Sequence, residues 1–259
     1  MHVLVAADWH IIWLRIFHPN NVFARALWAT IYISIISQAA GVVLGLIAAL
    51  MRMSRLAPLR WLSGIYVWIF RGTPLLVQIF FIYTTFNLPT IHLHVWTIPS
   101  EAFTGIVALS INEGAYMREI IRAGIDSIDR GQMEAAKSIG MRYGPAMRRI
   151  VLPQAARVIV PPLGNEFNNM MKTSSLVFFI GVTELFGDAE IRYSTTFKPV
   201  EYFLAVAFWY LVLTTVWTFI QALIERRLAR SERGEELSFR ERVIAAWNPA
   251  AAWTGFGRR

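Results

Sequence analysis

The chain contains no cysteine, so neither disulfide bridges nor thiolate metal sites can form, and the redox compartment cannot be read. Charge is scarce at 16%, with 17 acidic residues against 25 basic ones. No Gly-x-x-x-x-Gly-Lys-Ser/Thr phosphate loop occurs, so the chain is not expected to bind or hydrolyse ATP itself. No HExxH zinc motif is present, and no Ser/His/Asp set stands out on a common element. His92 and His94 are a pair without a third ligand, which is no basis for a metal site. The first residues, MHVLVAADWHIIWLRIFHPN, have neither a basic n-region nor a small-residue cleavage site, and they read as retained rather than as a signal peptide.

Apolar residues fill the space that charge leaves. They make up 56% of the 259 residues, and the mean hydropathy is +0.46, a membrane composition. Five segments are long enough to cross ~30 Å of hydrocarbon, which takes about 20 helical residues. They run from Val22 to Met51, Trp61 to Phe86, Ser100 to Gly124, Ala156 to Ile180 and Tyr202 to Leu223. The middle three carry Arg71, Glu113, Arg118, Glu119, Glu166 and Lys172, so they should face protein or a wet cavity. A net charge of +8 would suggest nucleic acid in a soluble chain, but here topology accounts for it. Eighteen basic residues fall in the first and third connectors and the tail, against three on the opposite side (Arg15, Arg192 and Lys198). That bias places the C-terminus in the cytoplasm and the N-terminus outside. In the first span, Gly41 and Gly45 form a GxxxG step that admits a close helix, from this subunit or from another copy.

One polar stretch interrupts the apolar pattern: EAAKSIGMRYGPAMRRIVLP, from Glu134 to Pro153. Asp129 can N-cap a helix there, with Gln132 in the capping-box position and Glu134 in the first turn. Ala135, Ala136 and Ile139 would form a small apolar face, and Gly140 supplies the stop. A folded amphipathic element outside the bilayer suits contact with a soluble partner.

Glu134-Ala135-Ala136, then Gly140, then Ile150 with Leu152-Pro153, resembles the EAA loop of ABC-importer permeases at every signature position. Arg71 to Gln78, Ala115 to Ile125, and Gly164 to Leu176 with Ile180-Gly181-Val182 are similar to the polar amino-acid subfamily, the histidine, glutamine and arginine type. The resemblance covers about Thr30 to Arg226. One departure is visible: Lys172 is followed by Thr173-Ser174-Ser175, where many relatives carry an acidic residue.

The resemblance implies an all-α membrane protein, a five-helix type I ABC importer permease bundle in the bacterial cytoplasmic (inner) membrane. It implies an external N-terminal segment at 1–21, a permease domain at 22–226 with its coupling loop at 125–155, and a cytoplasmic tail at 227–259. The implied partners are a dimer of ATPase subunits, a second permease (identical or related), an extracytoplasmic amino-acid-binding protein and membrane lipid. No cofactor is expected in this chain; ATP and magnesium would sit on the ATPase. Docking to that ATPase falls to Glu134, Ala135, Ala136, Gly140, Ile150, Leu152 and Pro153.

Candidate solute contacts follow from the cost of polar groups at depth. Pro74 removes a backbone hydrogen bond inside the second span and Gly72 loosens the same turn, which is tolerated only where other groups satisfy the freed carbonyl. Discontinuous helices of this kind build solute sites in transporters. Arg71, just before the break, suits either a solute carboxylate or a buried Glu. Glu166, with Asn165, Asn168 and Asn169 around it, requires a partner: a basic side chain, a solute cation or a proton. Glu113 is a further candidate, and its alternative is an interhelical hydrogen bond. The candidate solute set is thus Glu166, Asn169, Glu113 and Arg71. Arg118, Glu119 and Lys172 read as structural. Two rival classes are a stand-alone ion-coupled secondary carrier, which usually has more spans and inverted repeats, and a membrane-embedded enzyme, which needs a convergent polar site.

Overall fold

The structure is a computed structural model that describes residues 7–94 and 97–229. Expectations for the first six residues, Trp96 and the tail from 230 onward lie outside the described residues. A short helix α1, Trp9–Phe17, is followed by α2, Asn21–Met53. A broken pair comes next, α3, Ala57–Gly72, and α4, Leu75–Thr85. Two-residue strands β1 (Ile91–His92) and β2 (Thr97–Ile98) form a small antiparallel ladder, and α5, Ser100–Asp126, follows. Beyond it lie α6, Arg130–Ser138, and a helical run of α7 (Tyr143–Ala146), a π turn (Met147–Val151) and α8 (Leu152–Thr173). A 3-10 segment, Ser174–Ile180, leads to α9, Leu185–Thr196, and α10, Pro199–Ala229. The fold is all-α apart from that ladder. Residues from Ala222 onward form a unit separate from the rest.

Helix starts follow local chemistry. Asn20 accepts from the Phe23 N–H at 3.0 Å to open α2, satisfying a donor that the first turn leaves orphaned. Pro58 stands in the first turn of α3, where its missing N–H costs nothing. Pro153 opens α8 and cannot donate back into the preceding turn, and the chain there widens into the π turn.

Helix α2 packs on α5 more extensively than any other pair, and α5 also touches α3, α4 and α8. The glycine step explains the closeness. A Cβ on Gly41 would lie 2.6 Å from Glu113 Cγ, and one on Gly45 would strike the Met117 side chain and lie 2.9 Å from the Arg118 backbone nitrogen. The small face left open in the sequence is therefore used inside the subunit. Three apolar clusters surround this axis. The first joins Ile33, Ile79, Ile106, Leu109 and Val177; the second joins Ala49, Met117, Ile121, Val151 and Ala155; the third joins Phe23, Leu185, Tyr202 and Val206.

Helix α1 is fastened to the start of α10. The Asp8 N–H donates to Glu201 Oε1 at 3.0 Å, and Lys198 Nζ donates to Asp8 Oδ2 at 3.0 Å. The Lys198 ammonium holds the Asp8 carboxyl below its ordinary range. Helix α9 opens on Glu184, which is fully buried and accepts from the backbone of Phe186 and Gly187 at 2.9 and 2.8 Å. Tyr210 donates to the same carboxylate at 2.9 Å, and Thr30 accepts from the Leu185 N–H at 3.1 Å. One side chain thus ties α2, α9 and α10 together, with its charge at a helix N-terminus where the dipole favours it.

The second expected span is not a straight rod. Its two halves meet at Thr73-Pro74 with a bend of 107°. Pro74 has no N–H to give the Phe70 carbonyl four residues back. Gln78 Nε2 and Asn112 Nδ2 both donate to that oxygen at 2.9 Å, and Gln78 also reaches Thr73 O and Oγ1. Asn112 completes the set by donating to Gln78 Oε1 at 2.9 Å. Helices α2 and α10 are long and apolar enough to cross a membrane, and the broken pair makes a third if counted as one span. Helices α5 and α8, of 27 and 22 residues, have the length but carry charge, buried on α5 at Glu113 and Arg118. The fourth segment also differs from expectation: its α-helix ends at Thr173 and tightens into the 3-10 turn.

Two outcomes are expected. Gly45→Val should cost about 1–3 kcal/mol, because the obstructing atoms are the Met117 Cβ and α5 backbone, which cannot swing away; a thermal midpoint in detergent equal to wild type would contradict this. Gln78→Leu should cost about 1–3 kcal/mol by stranding buried acceptors, and Gln78→Glu should not restore it, since a carboxylate offers no N–H; the same melting assay reads both.

Candidate functional site

The candidate solute residues are held by α3, α5 and α8. Glu113 is buried on α5, pressed against Gly41, and its Oε1 accepts from Gln38 Nε2 at 2.9 Å. The interhelical hydrogen bond expected as the alternative role is present. Glu166 stands half-buried on α8, across the α5–α8 contact and within electrostatic reach of Glu113. No ion pair among the described residues involves Glu166. Of its amide neighbours, Asn165 and Asn169 are exposed, and Asn168 Oδ1 is buried without a hydrogen-bond partner. Carboxylates within electrostatic reach of each other repel, and a cation between them would relieve that repulsion.

Arg71 does not pair with a glutamate. Its guanidinium lies over the Tyr116 ring, 5.0 Å from the centroid, because the helix ends one residue later and the side chain falls across α5. It remains exposed and close enough to Arg118 for the two cations to repel. Arg118 itself is buried, paired with Glu119, and donates through Nε to Ser63 Oγ at 3.2 Å. Arg122 extends the ladder to Glu119 at 3.2 Å and Asp126 at 2.7 Å, which accounts for the charge near that end of α5. Lys172 was expected to hold the bundle; its side chain is exposed instead.

The loop from α6 to α8 forms a second candidate surface. Asp129 caps α6 by accepting from the Gly131 N–H at 2.8 Å. The capping box is not closed, because the Gln132 side chain turns toward Gln154, which donates to it at 3.4 Å. Gly140 stops the helix at φ 83°, the left-handed region where a Cβ is disfavoured. Ala136 is buried and Met133 and Met147 pack on the second cluster, which anchors the loop to α5 and α8.

The apolar face is therefore smaller than the sequence suggested. Ala135 is exposed and Ile139 points outward, 76% exposed, because the chain turns away after Ser138. Glu134, Gly140, Leu152 and Pro153 are also exposed, and Ile150 is half-buried. Tyr143, 57% exposed, joins this surface and was not picked out from the sequence. Its position just past the Gly140 stop was the available signal. Arg148 and Arg149 lie exposed on the π turn beside it. An outward apolar patch rimmed by basic residues and fixed from behind is a docking surface in physical terms.

Gln78 and Asn112 were likewise missed, although Pro74 announced that some donor must serve Phe70. Glu184 was missed too; its signal was an acidic residue three positions after Gly181 and just ahead of a helix.

Known proteins share this arrangement. The family described as "Binding-protein-dependent transport system inner membrane component" matches residues 41–230. The arginine transport system permease protein ArgU of Corynebacterium glutamicum is 41% identical over 232 residues, covering 86% of this chain and 72% of its own. The L-cystine transport system permease protein TcyB of Bacillus subtilis is 41% identical over 210 residues, covering 81% of this chain and 87% of its own. A crystal structure of an amino acid ABC transporter with histidines superposes with a TM-score of 0.71 at 39% identity, over 80% of this chain and 94% of that one. The MetNI methionine ABC transporter in inward-facing form shares the fold, with a TM-score of 0.68 at 20% identity. With its glycine-locked α2–α5 axis, broken second span and anchored EAA loop, the chain belongs to the inner membrane components of binding-protein-dependent transport systems, the ABC-importer permeases.

Proposed function

We propose that this chain is the permease subunit of an ATP-driven importer for a polar amino acid, with five spans, an external N-terminus and a cytoplasmic C-terminus. The relatives named for arginine and cystine transport support the solute class. ATP hydrolysis belongs to a partner subunit. The observation that carries the coupling role is the α6–α8 loop: Ala136 fixes it from behind while Ile139, Tyr143 and Leu152 face outward. An ATPase groove that receives this surface would pass its motion through α8 and α5 toward the interior. A second permease copy, identical or related, would enclose the path, and an external binding protein would deliver the solute. Glu166, half-buried and within electrostatic reach of Glu113, offers the anionic side of a site for the solute ammonium, with Asn169 beside it and Arg71 available for a carboxylate.

Purification of the tagged chain in mild detergent tests the assembly. A phosphate-loop ATPase is expected at near-equal amount; the chain emerging alone from cells that also express its partners would overturn the reading. Gly140→Asp should keep the protein inserted, since Asp is among the residues best tolerated at positive φ, yet should weaken ATPase retention by adding charge to the contact. Full retention and transport in that variant would remove Gly140 from the docking surface. Glu166→Gln should leave assembly intact and raise the apparent KM for uptake about ten-fold or more, in line with the roughly 1.5–3 kcal/mol of a hydrogen bond to a charged group. An unchanged KM for every transported solute would exclude Glu166 from the pocket.

A further inference from the structure

Away from both surfaces, a groove of about 540 Å³ opens beside the turn between α2 and α3. Its volume falls in the range of small-molecule sites. It is lined by Arg52, Arg60, Trp61, Gly64, Ile65 and Trp68. The helical repeat explains why they converge: positions 60, 61, 64, 65 and 68 lie on one face of α3, and Arg52 stands in the last turn of α2 beside them. Gly64 forms an open floor, where an added Cβ would meet nothing within 4 Å. Trp61 and Trp68 flank it at 72% and 76% exposure.

The groove has a polarity gradient. Both arginines lie toward the turn, and the wall beyond them is apolar. Arg60 Nη1 donates to the carbonyls of Ser54 at 3.2 Å and Arg55 at 2.8 Å, which fixes its guanidinium at the mouth. Arg52 is exposed, and none of the ion pairs among the described residues involves Arg52 or Arg60. One fixed cation, Arg60, and the exposed Arg52 beside it, above an aromatic and aliphatic wall, match one ligand class, an amphiphile with an anionic head and a hydrocarbon tail. The apolar surface continues past the groove through the exposed Leu62 and Ile69 of α3 and Leu50 of α2. A second copy of this chain is the poorer occupant on charge, since the chain carries +8 overall and the groove presents further positive charge.

We propose that this groove binds an anionic glycerophospholipid, its phosphate held by Arg52 and Arg60 and its acyl chain lying over Gly64 between Trp61 and Trp68. Basic residues at a membrane surface attract anionic lipid, and tryptophan favours the boundary between headgroup and hydrocarbon. The site does not depend on which solute is carried or on the ATPase contact.

The test is native mass spectrometry of the full chain with its co-purifying partners, exchanged into micelles containing equal phosphatidylglycerol and phosphatidylcholine of identical acyl chains. Wild type should retain phosphatidylglycerol preferentially. Arg52→Gln should reduce that preference about five-fold, as expected for one basic residue near the surface. Gly64→Leu, which fills open space without a clash, should reduce retention of both lipids while the protein stays monodisperse. Equal retention of the two lipids by wild type, or unchanged retention in Gly64→Leu, would overturn the proposal. Full displacement by glycerol 1-phosphate would overturn it in favour of a free-anion site. The chain has no cysteine, so Trp68→Cys gives a clean cross-linking probe: oxidative dimers at high yield would assign the groove to a permease–permease interface, and their absence together with lipid preference supports the lipid site.

Discussion

Helices α2 and α5 approach each other as closely as their backbones allow because Gly41 and Gly45 present no side chain at the contact. The rest of the bundle depends on that approach. It brings Gln38 within hydrogen-bond distance of Glu113, so that a carboxylate is held in the interior by a neutral amide. It also sets α5 as the hub on which α3, α4 and α8 pack. In a membrane, where lipid is as apolar as leucine, close packing and hydrogen bonds carry helix association. A glycine-lined seam with one polar clasp supplies both.

The same economy governs the other polar groups. The Phe70 carbonyl, stranded by Pro74, is met by Gln78 and Asn112 from two different helices. That arrangement stabilises a 107° bend rather than merely tolerating it. Glu184 serves at once as helix cap and as clasp between α2, α9 and α10. Each break or buried charge is also a junction between elements. The stiff frame that results leaves the α6–α8 loop facing outward, with Met133 and Met147 packed on the second cluster behind it.

Much of this was legible in the residues. The glycine step, the interruption at Pro74 and the Gly140 stop each follow from one residue type with one backbone consequence, and the structure shows all three. What escaped were partners supplied from elsewhere in the chain. Pro74 states that the Phe70 carbonyl needs a donor but cannot say that one sits 42 residues from Phe70, at Asn112. Arg71 pointed to a carboxylate, yet a neighbouring Tyr116 ring took it. Ile139 was grouped with Ala135 and Ala136 on one apolar face, because periodicity cannot see that the helix ends at Ser138. Local patterns survive where the backbone decides, and fail where tertiary contacts choose among equivalent partners.

That solute moves through this chain only when a bound ATPase drives it is the proposal on which the transport mechanism rests. Its most direct test is uptake of labelled amino acids into proteoliposomes holding the chain with its ATPase, its permease partner and its binding protein. Uptake of a polar amino acid is expected to require ATP and the binding protein together and to cease when the ATPase is omitted. Uptake driven by an ion gradient, with neither ATP nor ATPase present, would contradict it.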